Sequence, residues 1–175
     1  MIRWILPAVV VAAVAAGGAM AATSASHSSG ASVKAVANAK FGTVLVAANG
    51  KTLYRYTIDS KGVNRCTSNA TCAKYWPQLL VKAGTKPAAG TGVKASLLGT
   101  IAAKNGMRQV TYAGFPLYFF AGDTKSGQVN GQGFEKQWYV VNTKGALVKA
   151  AVSTGGGTSG GTPPPTSTDP GYVWG

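Results

Sequence analysis

In a chain of 175 residues, 17 Lys and Arg stand against 4 Asp and Glu, for a net charge of +13. With 46% hydrophobic residues and 24 glycines, the composition excludes a disordered chain and points to a small β-rich globule with glycine turns. The length suits one domain plus flanking segments, since single cores commonly take about 100–200 residues.

The chain opens with "MIRWILPAVVVAAVAAGGAMAA": a charged start at Arg3, an apolar run and a small-residue exit. Ala19-Met20-Ala21 fits a leader-peptidase site, so residues 1–21 are expected to be an export signal cleaved after Ala21 or Ala22. The alternative is an uncleaved anchor in the plasma membrane, because Ile5–Ala22 is just long enough to span a bilayer. Residues 22–40, which include the single His27, are small and polar and are expected to be a flexible linker.

From Phe41 the pattern changes. "TVLVAA", "TLYRYTI", "YWPQLLV", "SLLGTIA", "RQVTYA", "PLYFFA", "WYVV" and "ALVKAAV" are short apolar or alternating runs between Gly, Asn, Asp, Lys and Ser. Such runs, rich in Val, Tyr, Phe, Thr and Trp, read as strands. Only "VKASLLGTIAA" carries a trace of helical period. Asn49-Gly50 is a hairpin turn signal, and Arg108–Phe120 is expected to be a second hairpin about Gly114, with Pro116 opening a strand.

Two stretches repeat. Leu53-Tyr54-Arg55-Tyr56-Thr57-Ile58-Asp59 and Leu117-Tyr118-Phe119-Phe120-Ala121-Gly122-Asp123 share Leu-Tyr-x-aromatic-x-x-Asp at a shift of 64. Gly50 and Gly114 match at the same shift, and Trp76 and Trp138 match at a shift of 62. A unit of this size is usually one that cannot bury its apolar face alone and so pairs with a copy. Alternation puts Tyr54, Tyr56 and Ile58 on one strand face and Tyr118 and Phe120 on its counterpart. Trp76 and Trp138 are the expected partners of those rings, whereas the opposite face, with Arg55 matched by Phe119, is expected to be under looser demand.

Asp59 and Asp123 end their strands and precede "SKG" and "TKSG". Turn capping by backbone N–H acceptance is the simpler role. The sharper one pairs them as acid and base of a glycan or wall-polymer hydrolase, yet a repeated motif gives both carboxylates like surroundings, and such a pair needs unlike ones. "DTKSGQVNGQG" superficially evokes a calcium loop but holds one acid and a Lys. No catalytic residue, metal or cofactor is therefore assigned. Tyr75 and Trp76-Pro77 suit either core or a sugar platform, with core favoured.

Cys66 and Cys72 flank "TSNAT", and an even cysteine count in an exported chain argues for a disulfide. The alternatives are a metal or redox role, for which the spacing is wrong. Asn69-Ala70-Thr71 is a glycosylation sequon that matters only in a glycosylating secretory route. After Val152 the chain is Gly/Thr/Pro-rich, so residues 153–175 are expected to be a disordered tail, tipped by Tyr172 and Trp174.

Basic residues are spread and never form a run. A net charge this high attracts polyanions, among them anionic wall or glycan polymers and membrane surfaces; the export signal and the lack of a recognition motif argue against nucleic acid. The sequence carries no signal for an oligomeric state.

With Tyr54–Asp59 and Tyr118–Asp123 both satisfying Y-x-(F/W/Y)-x-x-D, the chain resembles the bacterial secreted-repeat family, also described as predicted lipoproteins. "CTSNATCAKYWPQL", "QVTYAGFPLYFFAGD" and "GQVNGQGFEKQW" extend the resemblance across about 41–152. It implies an exported, cell-envelope-associated β domain and no particular reaction. No Cys follows the apolar run, so this chain departs from the lipid-anchored members. The expected fold is all-β: one small barrel- or sandwich-like domain over residues 41–152, built from two tandem repeats at about 41–102 and 103–152. The expected function is that of a non-enzymatic module of the envelope or medium, with hydrolase and redox- or metal-linked accessory roles as alternatives.

Overall fold

The structure, a computed structural model, describes residues 31–151. The expected signal segment, residues 22–30 of the linker with His27, and the tail with Tyr172 and Trp174 lie outside the described residues.

Among the described residues, nine short strands and one α-helix follow in order: β1 (Ser32–Asn38), β2 (Gly42–Ala47), β3 (Tyr54–Tyr56), α1 (Ala70–Tyr75), β4 (Leu80–Lys82), β5 (Ala88–Ala89), β6 (Leu98–Ala102), β7 (Met107–Tyr112), β8 (Phe115–Pro116) and β9 (Trp138–Val140). The sheets run β2-β1-β5, β3-β9 and β4-β7-β6, with β8 on β7. All named pairings are antiparallel except β1 with β5. The result is a sandwich-like all-β fold made from two tandem repeats. The strands do not close, so the barrel alternative is set aside for the described residues.

Two cores lie on opposite sides of a shared layer of backbone, because successive residues of a strand point to opposite faces. Leu45, Ala47, Leu53, Leu117 and Val141 enter one core, with Val33, Leu79, Val81, Val110 and Tyr112. Their neighbours Val44, Val46, Tyr54, Tyr118 and Val140 enter the other, with Trp76, Trp138 and the two cysteines. The Leu-Tyr step of each motif thus feeds both cores. The expectation of a loosely constrained face opposite the tyrosines fails on this point: Leu53 and Leu117 are fully buried, and Arg55 is nearly so.

Other expectations need correction. The stretch expected to be linker contributes β1, whose Val33 is fully buried and which pairs along its length with β2 from Val33↔Ala47 to Asn38↔Gly42. Small residues disguised it; a partner strand supplies the order its own side chains cannot. The helix falls at Ala70–Tyr75 rather than near "VKASLLGTIAA", where a single 3-10 turn leads into β6. Asn69 nucleates it by accepting from Thr71 N (2.9 Å) and Cys72 N (3.1 Å), which is N-capping. The chain leaves the strand after Tyr56, so Ile58 is exposed instead of sharing the tyrosine face. Of "ALVKAAV", the described residues 146–151 form no strand and make a single Val141↔Leu147 bridge. The second hairpin forms as expected, Tyr112 pairing with Phe115 across Ala113 and Gly114, both at positive φ.

Candidate functional site

The repeated motif is the centre of the molecule, and it is built crosswise. Tyr54 and Tyr118 form an antiparallel bridge, each N–H donating to the other's carbonyl at 2.9 and 3.0 Å. The Tyr54 hydroxyl donates to Asp123 Oδ2 at 2.6 Å, and the Tyr118 hydroxyl donates to Asp59 Oδ2 at 2.6 Å. Each repeat's tyrosine therefore holds the other repeat's aspartate. The second oxygen of each carboxylate caps its own loop: Asp59 Oδ1 accepts from Arg65 N at 2.8 Å, and Asp123 Oδ1 accepts from Asn130 N at 2.9 Å. A carboxylate accepting one phenolic and one backbone hydrogen bond is well satisfied for a buried acid.

The aromatic residues cross in the same way. Trp76 and Trp138 stack with centroids 3.7 Å apart and planes 1° apart. Phe120 lies on Trp76 at 4.6 Å and Tyr56 on Trp138 at 4.3 Å, giving a four-ring column drawn alternately from the two repeats. Tyr54 and Tyr118 meet the tryptophans edge-on at 5.5 and 5.1 Å. Burying these rings removes much apolar surface from water, at about 25 cal/mol per Å². The glycine turns cross as well: Gly62 N–H donates to Gly114 O (2.9 Å) and Gly127 N–H to Gly50 O (3.2 Å). That explains the repeated glycines. Both have positive φ, and a Cβ on Gly50 would lie 2.1 Å from Ser126 Oγ.

Electrostatics agree with a structural use of these groups. Burial, reinforced by the adjoining carboxylates, holds the Tyr54 and Tyr118 phenols far above their ordinary range, so both stay protonated donors. Burial also raises Asp59, against the opposing pull of Tyr118, the Arg65 amide and the charges of Arg55 and Arg65. Arg55 replaces the motif's aromatic counterpart on the other core: its guanidinium lies 3.4 Å over the Phe115 ring and donates to Gly145 O. Burial lowers it to about 10, partly offset by Asp59, so it remains cationic at neutral pH.

The eight motif residues singled out from the sequence thus come together, with Trp76 and Trp138 buried. Cys66 and Cys72 are bonded, their Sγ atoms 2.12 Å apart, and both are buried. Among the described residues no three of His, Cys, Asp and Glu gather as metal ligands. The sequon asparagine is the helix cap described above. Sequence reasoning missed Gln109, a fully buried amide in the middle of β7. The one available signal was a glutamine at an inward position of "RQVTYA".

Residues 35–79 and 99–142 match a known family, described as a secreted repeat of unknown function. The two matched segments are the two halves that cross at Tyr54 and Tyr118. The chain belongs to that family. The family begins its first unit within β1, earlier than the boundary at residue 41 read from the sequence. No curated protein and no solved structure matches. Secretion places this family member outside the cytoplasm, and no helix among the described residues is long and apolar enough to cross a membrane.

Proposed function

We propose that this secreted-repeat protein is a non-enzymatic module, exported by a cleaved N-terminal signal, that binds anionic polymers of the cell surface. One observation carries the reading. Of the acids among the described residues, Asp59 and Asp123 are buried in the crossed tyrosine bonds and only Glu135 is exposed, while most lysines, from Lys40 to Lys149, are exposed. Folding hides negative charge and displays positive charge, so the surface is more cationic than the composition alone requires. Such a surface concentrates polyanions by long-range attraction that salt screens.

The hydrolase alternative finds less support. Both carboxylates are buried, and each oxygen of each already accepts a hydrogen bond. A general base needs an oxygen within reach of water and substrate. The redox alternative would need an accessible thiol or disulfide, and both sulfurs are buried.

The test is retention of the exported chain on immobilised anionic wall polymer and on a neutral glucan across a salt series. Retention on the anionic polymer at low salt, falling steeply as salt rises, is expected. Equal retention on the neutral matrix, or none on either, would overturn the reading.

A further inference from the structure

The two halves follow one hydrogen-bond plan, and that plan makes their positions comparable. Leu45 N–H donates to Val141 O and Val110 N–H to Leu79 O, each at 2.8 Å. Tyr54 bridges Val140, and Tyr118 bridges Gln78. Asp123 caps the amide of Asn130, and Asp59 that of Arg65. Stepping back one residue along the strands and along each capped loop, Gln109 stands where the other half has Val44, Gln78 where it has Val140, and Asn64 where it has Val129.

The valine set is part of the aromatic core, where Phe41 and Val148 also pack. The amide set is wired together. Gln109 Oε1 accepts from Asn64 Nδ2 at 2.6 Å and from Gln78 Nε2 at 2.7 Å, and Gln109 Nε2 donates to Leu117 O at 3.0 Å. Asn64 Oδ1 in turn accepts from the Thr67 amide and hydroxyl at 2.9 and 3.2 Å. Gln109 is fully buried. A buried amide where valine suffices costs stability unless fully hydrogen-bonded, and adds nothing to packing. Departures of this kind from simple core design gather at functional sites. Here Asn64 and Gln78, held by the buried Gln109, line a cleft of about 410 Å³ together with Val63, Thr67, Ile101 and Lys104.

We infer that this amide-walled cleft is a binding site for a sugar ring bearing a carboxylate, one residue of an acidic glycan. The inference deepens the polyanion reading and rests on it. Gln109 uses one N–H of each neighbour, fixing the Asn64 and Gln78 amide planes before any ligand arrives. The Gln78 carbonyl oxygen and the remaining N–H groups then match the donor and acceptor pattern of vicinal hydroxyls. Val63 and Ile101 offer apolar surface to the ring's C–H face, and the exposed Lys104 ammonium suits its carboxylate. The symmetry-related place has no such chemistry, so one site per chain is expected.

The test titrates the exported chain, labelled with nitrogen-15, with a glucuronate-containing tetrasaccharide and separately with polyphosphate. Saturable shifts of the Asn64 and Gln78 side-chain amide signals with the tetrasaccharide, and not with polyphosphate, are expected. The triple variant N64V/Q78V/Q109V copies the valine cluster and should lose at least tenfold in tetrasaccharide affinity while keeping its retention on polyphosphate. Unchanged tetrasaccharide affinity in that variant, or binding without those amide shifts, overturns the site and leaves the charge reading intact. Binding of neither probe by the native chain at low salt overturns the charge reading itself. If the variant does not fold, the amide shifts of the native chain decide.

Discussion

The halves that meet at Tyr54 and Tyr118 are alike at their crossed motifs and unlike in the two clusters that flank them. At the contact, phenol answers carboxylate, indole lies on indole, and glycine turn supports glycine turn, each time across the repeats. Beyond it, two equivalent clusters that each draw on both halves differ: Val44 with Val129 and Val140 on one side, Gln109 with Asn64 and Gln78 on the other. Duplicated residues carry the centre of the assembly, while the flanking clusters join the halves by valine packing on one side and by amide hydrogen bonds on the other. Neither half completes its bonds alone, so the repeat is a unit of symmetry and not a unit of folding.

The largest test of that comparison removes an indole. Trp76→Ala and Trp138→Ala should each cost about 3–5 kcal/mol, and calorimetry should show the whole domain melting as one transition in both. Two separate transitions in either variant would mean that the halves fold independently. Next come the crossed hydroxyls: Tyr54→Phe and Tyr118→Phe each strip a partner from a buried carboxylate, for about 1–3 kcal/mol apiece. A double-mutant cycle of Tyr54→Phe with Asp123→Asn should give a coupling energy, whereas Tyr54→Phe with Asp59→Asn should be nearly additive. Coupling in the second cycle and none in the first would invert the assignment.

A finer test separates the two turns. Alanine at either repeated glycine bears the left-handed backbone cost of about 1–2 kcal/mol. At Gly50 the new methyl also meets Ser126 Oγ, whereas at Gly114 the nearest atoms belong to the flexible Lys61 side chain, at 3.2 Å. Denaturant midpoints should therefore fall further for Gly50→Ala, and Ser126→Gly should recover part of that loss.

The smallest expected effect is a pH slope. Burial raises Asp59 above its unfolded value, so folding favours the protonated form. The stability this provides is fully present below the unfolded pKa and is lost as pH rises through the folded one. Thermal midpoints should thus climb as pH falls from neutral into the weakly acidic range, and Asp59→Asn should flatten the climb. A slope that survives the substitution would assign it to another group.

Much of this was legible beforehand. The shift of 64 announced the repeat, Val/Tyr/Thr-rich runs announced strands, and two cysteines in an exported chain announced their bond. β1 was not legible, because "SVKAVAN" has too little apolar bulk to advertise a strand; it is held by its ladder to β2. The second buried face also escaped notice. Alternation says which residues share a side, but not whether both sides are covered. The amide cluster was beyond reach for a related reason, since Asn64, Gln78 and Gln109 are scattered in sequence and only folding brings them together.

By itself the sequence determined the β class, the duplication and the identity of the rings, acids and glycines that recur, because local period and repeat spacing are written along the chain. Only the tertiary structure decided that each tyrosine serves the opposite aspartate, that folding buries two acids and leaves the surface cationic, and that one of two equivalent clusters exchanges valines for amides. Partnership across 59 to 69 residues depends on which strands pair, and pairing is set by the joint burial of two cores that no single segment can specify.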